Sequence, residues 1–92
     1  YATIDPIVMA AHLVVDLQSI VAREMKPGVP AVVTVGSFHG GTKHNIIPNE
    51  VRLQLTVRTT RTEVRDHVLK AIDRMVKAAA VSARAPEPEV RV

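Results

Sequence analysis

Between residues 51 and 58 apolar and polar side chains alternate without a break, Val51, Leu53, Leu55 and Val57 interleaving with Arg52, Gln54, Thr56 and Arg58. Period two belongs to a β-strand, because successive side chains leave a pleated backbone on opposite faces. A sheet built around this strand has one apolar face and one polar face. The chain must therefore lay an apolar layer over the first and leave the second to water or a ligand.

The flanking segments supply that layer. Residues 31–38 are β-branched and short and form a second strand, which pairs with the first as an antiparallel hairpin. Ahead of it, Asp5-Pro6 opens a helix over 5–24, with Asp capping free amides and Pro losing no hydrogen bond at the first helical position. Its buried stripe reads Ile7, Ala10, Ala11, Val14, Leu17 and Val21. Leu13 and Ile20 widen the stripe beyond what one surface needs, which points to a second partner and makes Leu13 an outer position. Arg23 and Lys26 suit the negative end of the helix, and Lys26-Pro27-Gly28 stops it.

After the hairpin, Thr60 and Glu63 have the spacing of a capping box, so a second helix follows. Val64, Val68, Ile72, Met75, Val76 and Ala79 make its buried face. Pro86-Glu87-Pro88 breaks it, and residues 89–92 read as a short edge strand. The order helix, strand, strand, helix, strand is α+β. It is a ferredoxin-like two-layer sandwich with two helices on one face of an antiparallel sheet, lacking its first strand. That strand is central in such a sheet, and its loss leaves backbone groups unpaired. Residues 1–92 are accordingly expected to be a single domain of a longer protein, or a domain whose vacant position another segment fills.

Composition narrows the class. The chain has 92 residues, 47% of them hydrophobic, enough for one modest core. Without cysteine it has no disulfide or thiolate zinc site, which fits a cytoplasmic setting. No apolar run reaches the roughly 18 residues of a spanning helix, so no membrane role is expected. A net charge of +3 spread among acids, with two aromatic residues, argues against nucleic acid.

The unusual chemistry sits in the hairpin connection. Gly40 and Gly41 permit sharp turning and close backbone approach, Lys43 adds a point charge, His44 an imidazole and Asn45 an amide, so the loop suits an anion or carboxylate. Asn45 also suits a turn, and the two roles are compatible. His39 and His44 without a carboxylate or third ligand make an incomplete metal site. His12 and His67 lie beside the apolar stripes of the helices and read as structural or exposed. Arg58 offers a planar fork that matches a carboxylate two-to-two.

Taken in order, Asp5-Pro6-Ile7, residues 17–24, Gly40-Gly41, Asn45-Ile46-Ile47-Pro48 and Thr56-Val57-Arg58-Thr59 give the chain a resemblance to a known family. It resembles the dimerisation, or lid, domain of metal-dependent amidohydrolases and exopeptidases such as hippurate hydrolase, aminoacylase, indole-acetyl-amino-acid hydrolase and succinyl-diaminopimelate desuccinylase. The resemblance implies a parent enzyme whose separate catalytic domain holds two divalent metal ions, zinc or similar, and cleaves the amide of a small N-acyl amino acid or peptide. It also implies a homodimer through the 5–24 helix and the 31–38 strand, and a lid with no metal ligand or catalytic residue of its own. Substrate contacts would fall on Asn45 and Arg58, with Gly40, Gly41 and His44 close by. The family's lid histidine would align with or near Tyr1, where this chain holds none. The competing expectation is a stand-alone ferredoxin-like module that binds a ligand or assembles without catalysis.

Overall fold

The computed structural model describes residues 5–20, 23, 28, 30–44, 47 and 50–92. Four elements follow in chain order: helix α1 (Pro6–Ser19), strands β1 (Ala31–Gly40) and β2 (Val51–Thr59), and helix α2 (Thr62–Ser82). The strands form a two-stranded antiparallel sheet, and the helices pack on each other and on the sheet's apolar face. This is the α+β sandwich that the alternation at 51–58 demands.

The Asp5 carboxylate caps α1, accepting a 3.0 Å hydrogen bond from the Ile7 amide, with Pro6 in the first turn. The buried side of the helix differs from the expected stripe. Ala10, Leu13, Leu17 and Ile20 face the core, while Ala11 is exposed and Val14 half-buried. Leu13 is thus an inner residue, only 5% exposed, and Val8, Ala11 and Val15 face outward. On a helix apolar on both sides, the stripe with the larger side chains removes more surface from water and turns inward. The predicted stop at Lys26-Pro27 lies outside the described residues, as do Val21 and Glu24; Gly28 has the left-handed φ of 84° that such a stop uses.

The hairpin register pairs Val33 with Val57 and Val35 with Leu55, then slips by one residue at Gly36 before Ser37 meets Gln54 and Phe38 meets Leu53. Gly36 is the extra residue of a β-bulge, and it inverts the alternation of the rest of β1. Ala31, Val33 and Val35 face the helices, and beyond the bulge so do Phe38 and Gly40, leaving Ser37 and His39 on the polar face.

Helix α2 begins one residue later than the capping-box spacing predicts. Its N-cap is Arg61, with no side-chain cap bond; the Thr59 hydroxyl takes the Arg61 amide at 3.3 Å and donates to the Arg61 carbonyl at 2.8 Å. Thr59 finishes the strand and turns the chain, which displaces the role expected of Thr60. The core face holds as expected, with Val68, Ala71 and Ile72 buried and Val64, Met75, Val76 and Ala79 packed against them. At its end the Arg84 amide bonds the Val81 carbonyl and the Ala85 amide the Ala80 carbonyl, at 3.1 and 2.8 Å. That pair closes a Schellman motif, with Arg84 in the left-handed region at φ 56°. Residues 89–92 are exposed and form no strand, contrary to expectation. In a ferredoxin-like sheet the last strand pairs with the first, and among the described residues β1 and β2 pair only with each other.

One cluster of Leu13, Leu17, Ile20, Val33, Val68, Ala71 and Ile72 makes the core, and among the described residues no polar or charged side chain is buried. Any recognition chemistry therefore sits on the surface, foremost on the sheet face turned away from the helices.

Candidate functional site

The polar sheet face is built by two rows set side by side. Strand β2 contributes Arg52, Gln54, Thr56 and Arg58, all exposed; β1 contributes Val32, Thr34, Ser37 and His39. Across the rows, Val32 lies opposite Arg58, Thr34 opposite Thr56 and His39 opposite Arg52. The Ser37 hydroxyl donates to the Gln54 amide oxygen at 2.9 Å, tying the rows together beside the bulge. Arg52 reaches Glu50 at 3.4 Å with both side chains largely in water, a pairing that orients more than it stabilises.

The expected ligand residues divide between the two ends of this face. Gly40 pairs with Val51 at the tip, whereas Arg58 pairs with Val32 at the base. Those positions are roughly 23 Å apart at a strand rise of about 3.3 Å per residue. The hairpin alone does not bring Gly40-Gly41 and Arg58 together. His44 is exposed on the tip loop beside Thr42 and Lys43, and Asn45 lies outside the described residues.

Both glycines have structural reasons to be glycine. Gly41 has φ 89°, a torsion that side chains disfavour. A Cβ on Gly40 would stand 2.7 Å from Val51 Cγ2 and 3.4 Å from Ile7 Cγ1, so the tip closes on the start of α1 by virtue of that missing carbon.

The juxtaposition that the sequence alone did not single out is His39 with Arg52. Strict alternation from Ala31 would put position 39 on the core face, and only the bulge turns it outward. The signal was present: an isolated glycine inside a strand pattern marks such a bulge. Chemically the face offers guanidinium, imidazole, hydroxyl and amide groups that bind and orient. Among the described residues no three His, Asp or Glu side chains converge on a possible metal position, and no helix is long and apolar enough to cross a membrane.

A two-layer α+β sandwich with one polar sheet face is the class of domain these features define. Residues 1–84 match the family of peptidase dimerisation domains, and the chain belongs to that family. It is 46% identical over 72 residues to the N-acetyldiaminopimelate deacetylase of Halalkalibacterium halodurans, covering 78% of this chain and 19% of that protein. With the N-acyl-L-amino acid amidohydrolase of Geobacillus stearothermophilus it shares 43% over 77 residues, 84% of this chain and 21% of the relative. The N-acetyl-L-cysteine deacetylase of Bacillus subtilis is 47% identical over 64 residues, 70% of this chain and 15% of its own. Among solved structures, a protein assigned as an aminohydrolase from methicillin-resistant Staphylococcus aureus superposes with a TM-score of 0.85 at 31% identity, over 88% of this chain and 21% of that one. The chain thus spans about a fifth of the length of the relatives it matches.

Proposed function

We propose that this chain is the lid and dimerisation domain of a metal-dependent amidohydrolase that cleaves the amide bond of N-acyl amino acids or related small peptides. The family match over residues 1–84 carries the reading. It is supported by relatives that are deacetylases and amidohydrolases about four times as long, which leaves room for a catalytic domain elsewhere in the protein. In this reading residues 1–92 are one domain of a larger two-domain hydrolase, with a cytoplasmic location and a homodimeric assembly. The dimer forms through α1 and the free edge of β1.

Divalent metal ions in the catalytic domain would polarise the scissile carbonyl and activate water. The lid's own work is positioning. Arg58 grips the substrate carboxylate with its planar fork, and Asn45 holds a second polar group. For both to serve one small ligand, the loop must fold back over the polar face. Asn45 lies four residues beyond Gly41, a reach of roughly 14 Å. The remaining distance to Arg58, about 9 Å, is one that an arginine side chain and a ligand span. Gly40, Gly41 and His44 then line the path of the loop. Closure of the lid would exclude water and complete the site.

The test is kinetic, on the full-length hydrolase. Replacing Arg58 with Ala removes a charge-assisted hydrogen bond of about 1.5–3 kcal/mol, so KM for an N-acetyl amino acid should rise about 10- to 150-fold with a smaller change in kcat. Lysine should rescue only in part. An unchanged KM would remove Arg58 from the substrate site.

A further inference from the structure

The outward side of α1 carries a shallow open groove lined by Ile7, Val8, Ala11, His12 and Val15, with Val8 53% and Val15 70% exposed. His12 is the one titratable group on that lining, and it sits where the stripe is otherwise apolar. No element of the chain described by the structure packs over it.

We propose that His12 makes the lid dimer pH-sensitive, holding it together when the imidazole is neutral and opening it when protonated. The inference rests on the dimer reading above, in which the occupant of the groove is a second copy of this chain. Three observations support that occupant. The family is one of dimerisation domains. The groove also meets β1, since Ile7 at its end packs against Gly40 at the end of that strand. Finally, the stripe is self-complementary: Val8, Ala11, His12 and Val15 are placed symmetrically about the midpoint between 11 and 12.

A two-fold axis through that midpoint sets two α1 helices antiparallel, each Val8 against the other's Val15. The small Ala11 lets the helices approach to the usual 8–10 Å. The same axis leaves both His12 side chains on one flank of the crossing, close to each other. Protonation there adds two like charges to a surface being removed from water, and both terms oppose association. The other charged group near this face is Asp16, four residues along α1 from His12 and on the same flank, whose carboxylate favours the protonated imidazole in protomer and dimer alike. The helix-side positions of β1, Ala31, Val33, Val35 and Phe38, are uncharged.

Two imidazoles that must both be neutral in the dimer each exclude a proton, and linkage then weakens Kd by up to about tenfold per proton per pH unit, a loss on the order of 100-fold between pH 7.5 and pH 5.5. Sedimentation of the full-length protein at both pH values, with circular dichroism confirming an unchanged fold, reads this directly. The expected result is a dimer at pH 7.5 that loosens about 100-fold at pH 5.5, a His12→Gln variant whose Kd is flat across the range, and a His12→Lys variant that is weak at both. A dimer equally tight at pH 5.5, or a His12→Gln variant that loosens as much as the parent, overturns the role of His12 and leaves the dimer standing. A monomer at both pH values overturns the dimer reading and this inference with it.

Discussion

Gly40 and Gly36 lie four residues apart in one strand and should answer the same substitution in opposite ways. At Gly36 an added Cβ meets nothing nearer than the Gln54 carbonyl oxygen at 3.6 Å, an ordinary contact. Gly36→Ala then acts mainly by restricting the unfolded chain, a gain of about 0.4–1 kcal/mol. At Gly40 the Cβ would lie 2.7 Å from Val51 Cγ2 and 3.4 Å from both the Glu50 carbonyl oxygen and Ile7 Cγ1. Val51 cannot easily turn away, since a β-branched side chain is stiff at its first torsion. Overpacking of this kind costs about 1–3 kcal/mol, against the same entropic gain. The two variants should therefore differ by about 1–3 kcal/mol, which at a urea dependence near 1 kcal/mol/M separates their unfolding midpoints by about 1–3 M. Urea titration followed by far-ultraviolet circular dichroism measures it. Because the clash has a named partner, Val51→Ala should recover much of the loss in the double variant, as a coupling energy of about 0.5–3 kcal/mol. Equal midpoints for the two alanine variants, or no coupling between positions 40 and 51, would refute the steric account of the tip.

Arg84 holds φ 56° at the end of α2, a torsion that suits glycine. Arg84→Gly should stabilise the fold by about 0.5–1 kcal/mol, read as a higher melting temperature, and a lower one would show that the Arg84 side chain contributes more than its backbone costs. Lys77 lies 3.0 Å from Asp73, and the hydrogen bond and then the charge of that carboxylate raise its pKa above the ordinary 10.5, with Glu87 adding to the effect and burial opposing it. A raised pKa means that the contribution of the pair is fully present below about pH 10.5 and is lost as pH climbs through the raised value. In an NMR titration Lys77 should lose its proton at lower pH in an Asp73→Asn variant, and identical curves would dismiss the pairing.

The hairpin and the core face of α2 were legible because each rests on a period that only one structure satisfies. Alternation at 51–57 fixes a strand whatever surrounds it, and the stripe from Val64 to Ala79 is apolar on one side only. The face of α1 was not legible, because Leu13 and Val15 are equally apolar to a periodicity argument and only the packed volumes of Leu13, Leu17 and Ile20 decide between them. Thr59 outcompeted Thr60 for the start of α2 because two threonines in a row can each bond the backbone, and spacing does not choose. The strand expected at 89–92 depended on a neighbour rather than on its own residues. At the site, Arg58 was visible as an outward-facing strand residue. The pairing of His39 with Arg52 was hidden by the one-residue slip at Gly36.

That slip divides the hairpin into two halves that can vary independently. Toward the base, Val33 and Val35 are locked to the helices, and any shift there would expose the core. Toward the tip, a single glycine takes up the extra residue and lets Ser37 and His39 keep their outward row. Removing it would leave a regular ladder, with Ser37 opposite Gln54 directly after Val35 opposite Leu55, His39 still outward and Phe38 still inward. A lineage of related lids can thus gain or lose one residue here by a single-codon event, with both the outward row of the tip and the buried half of the molecule untouched.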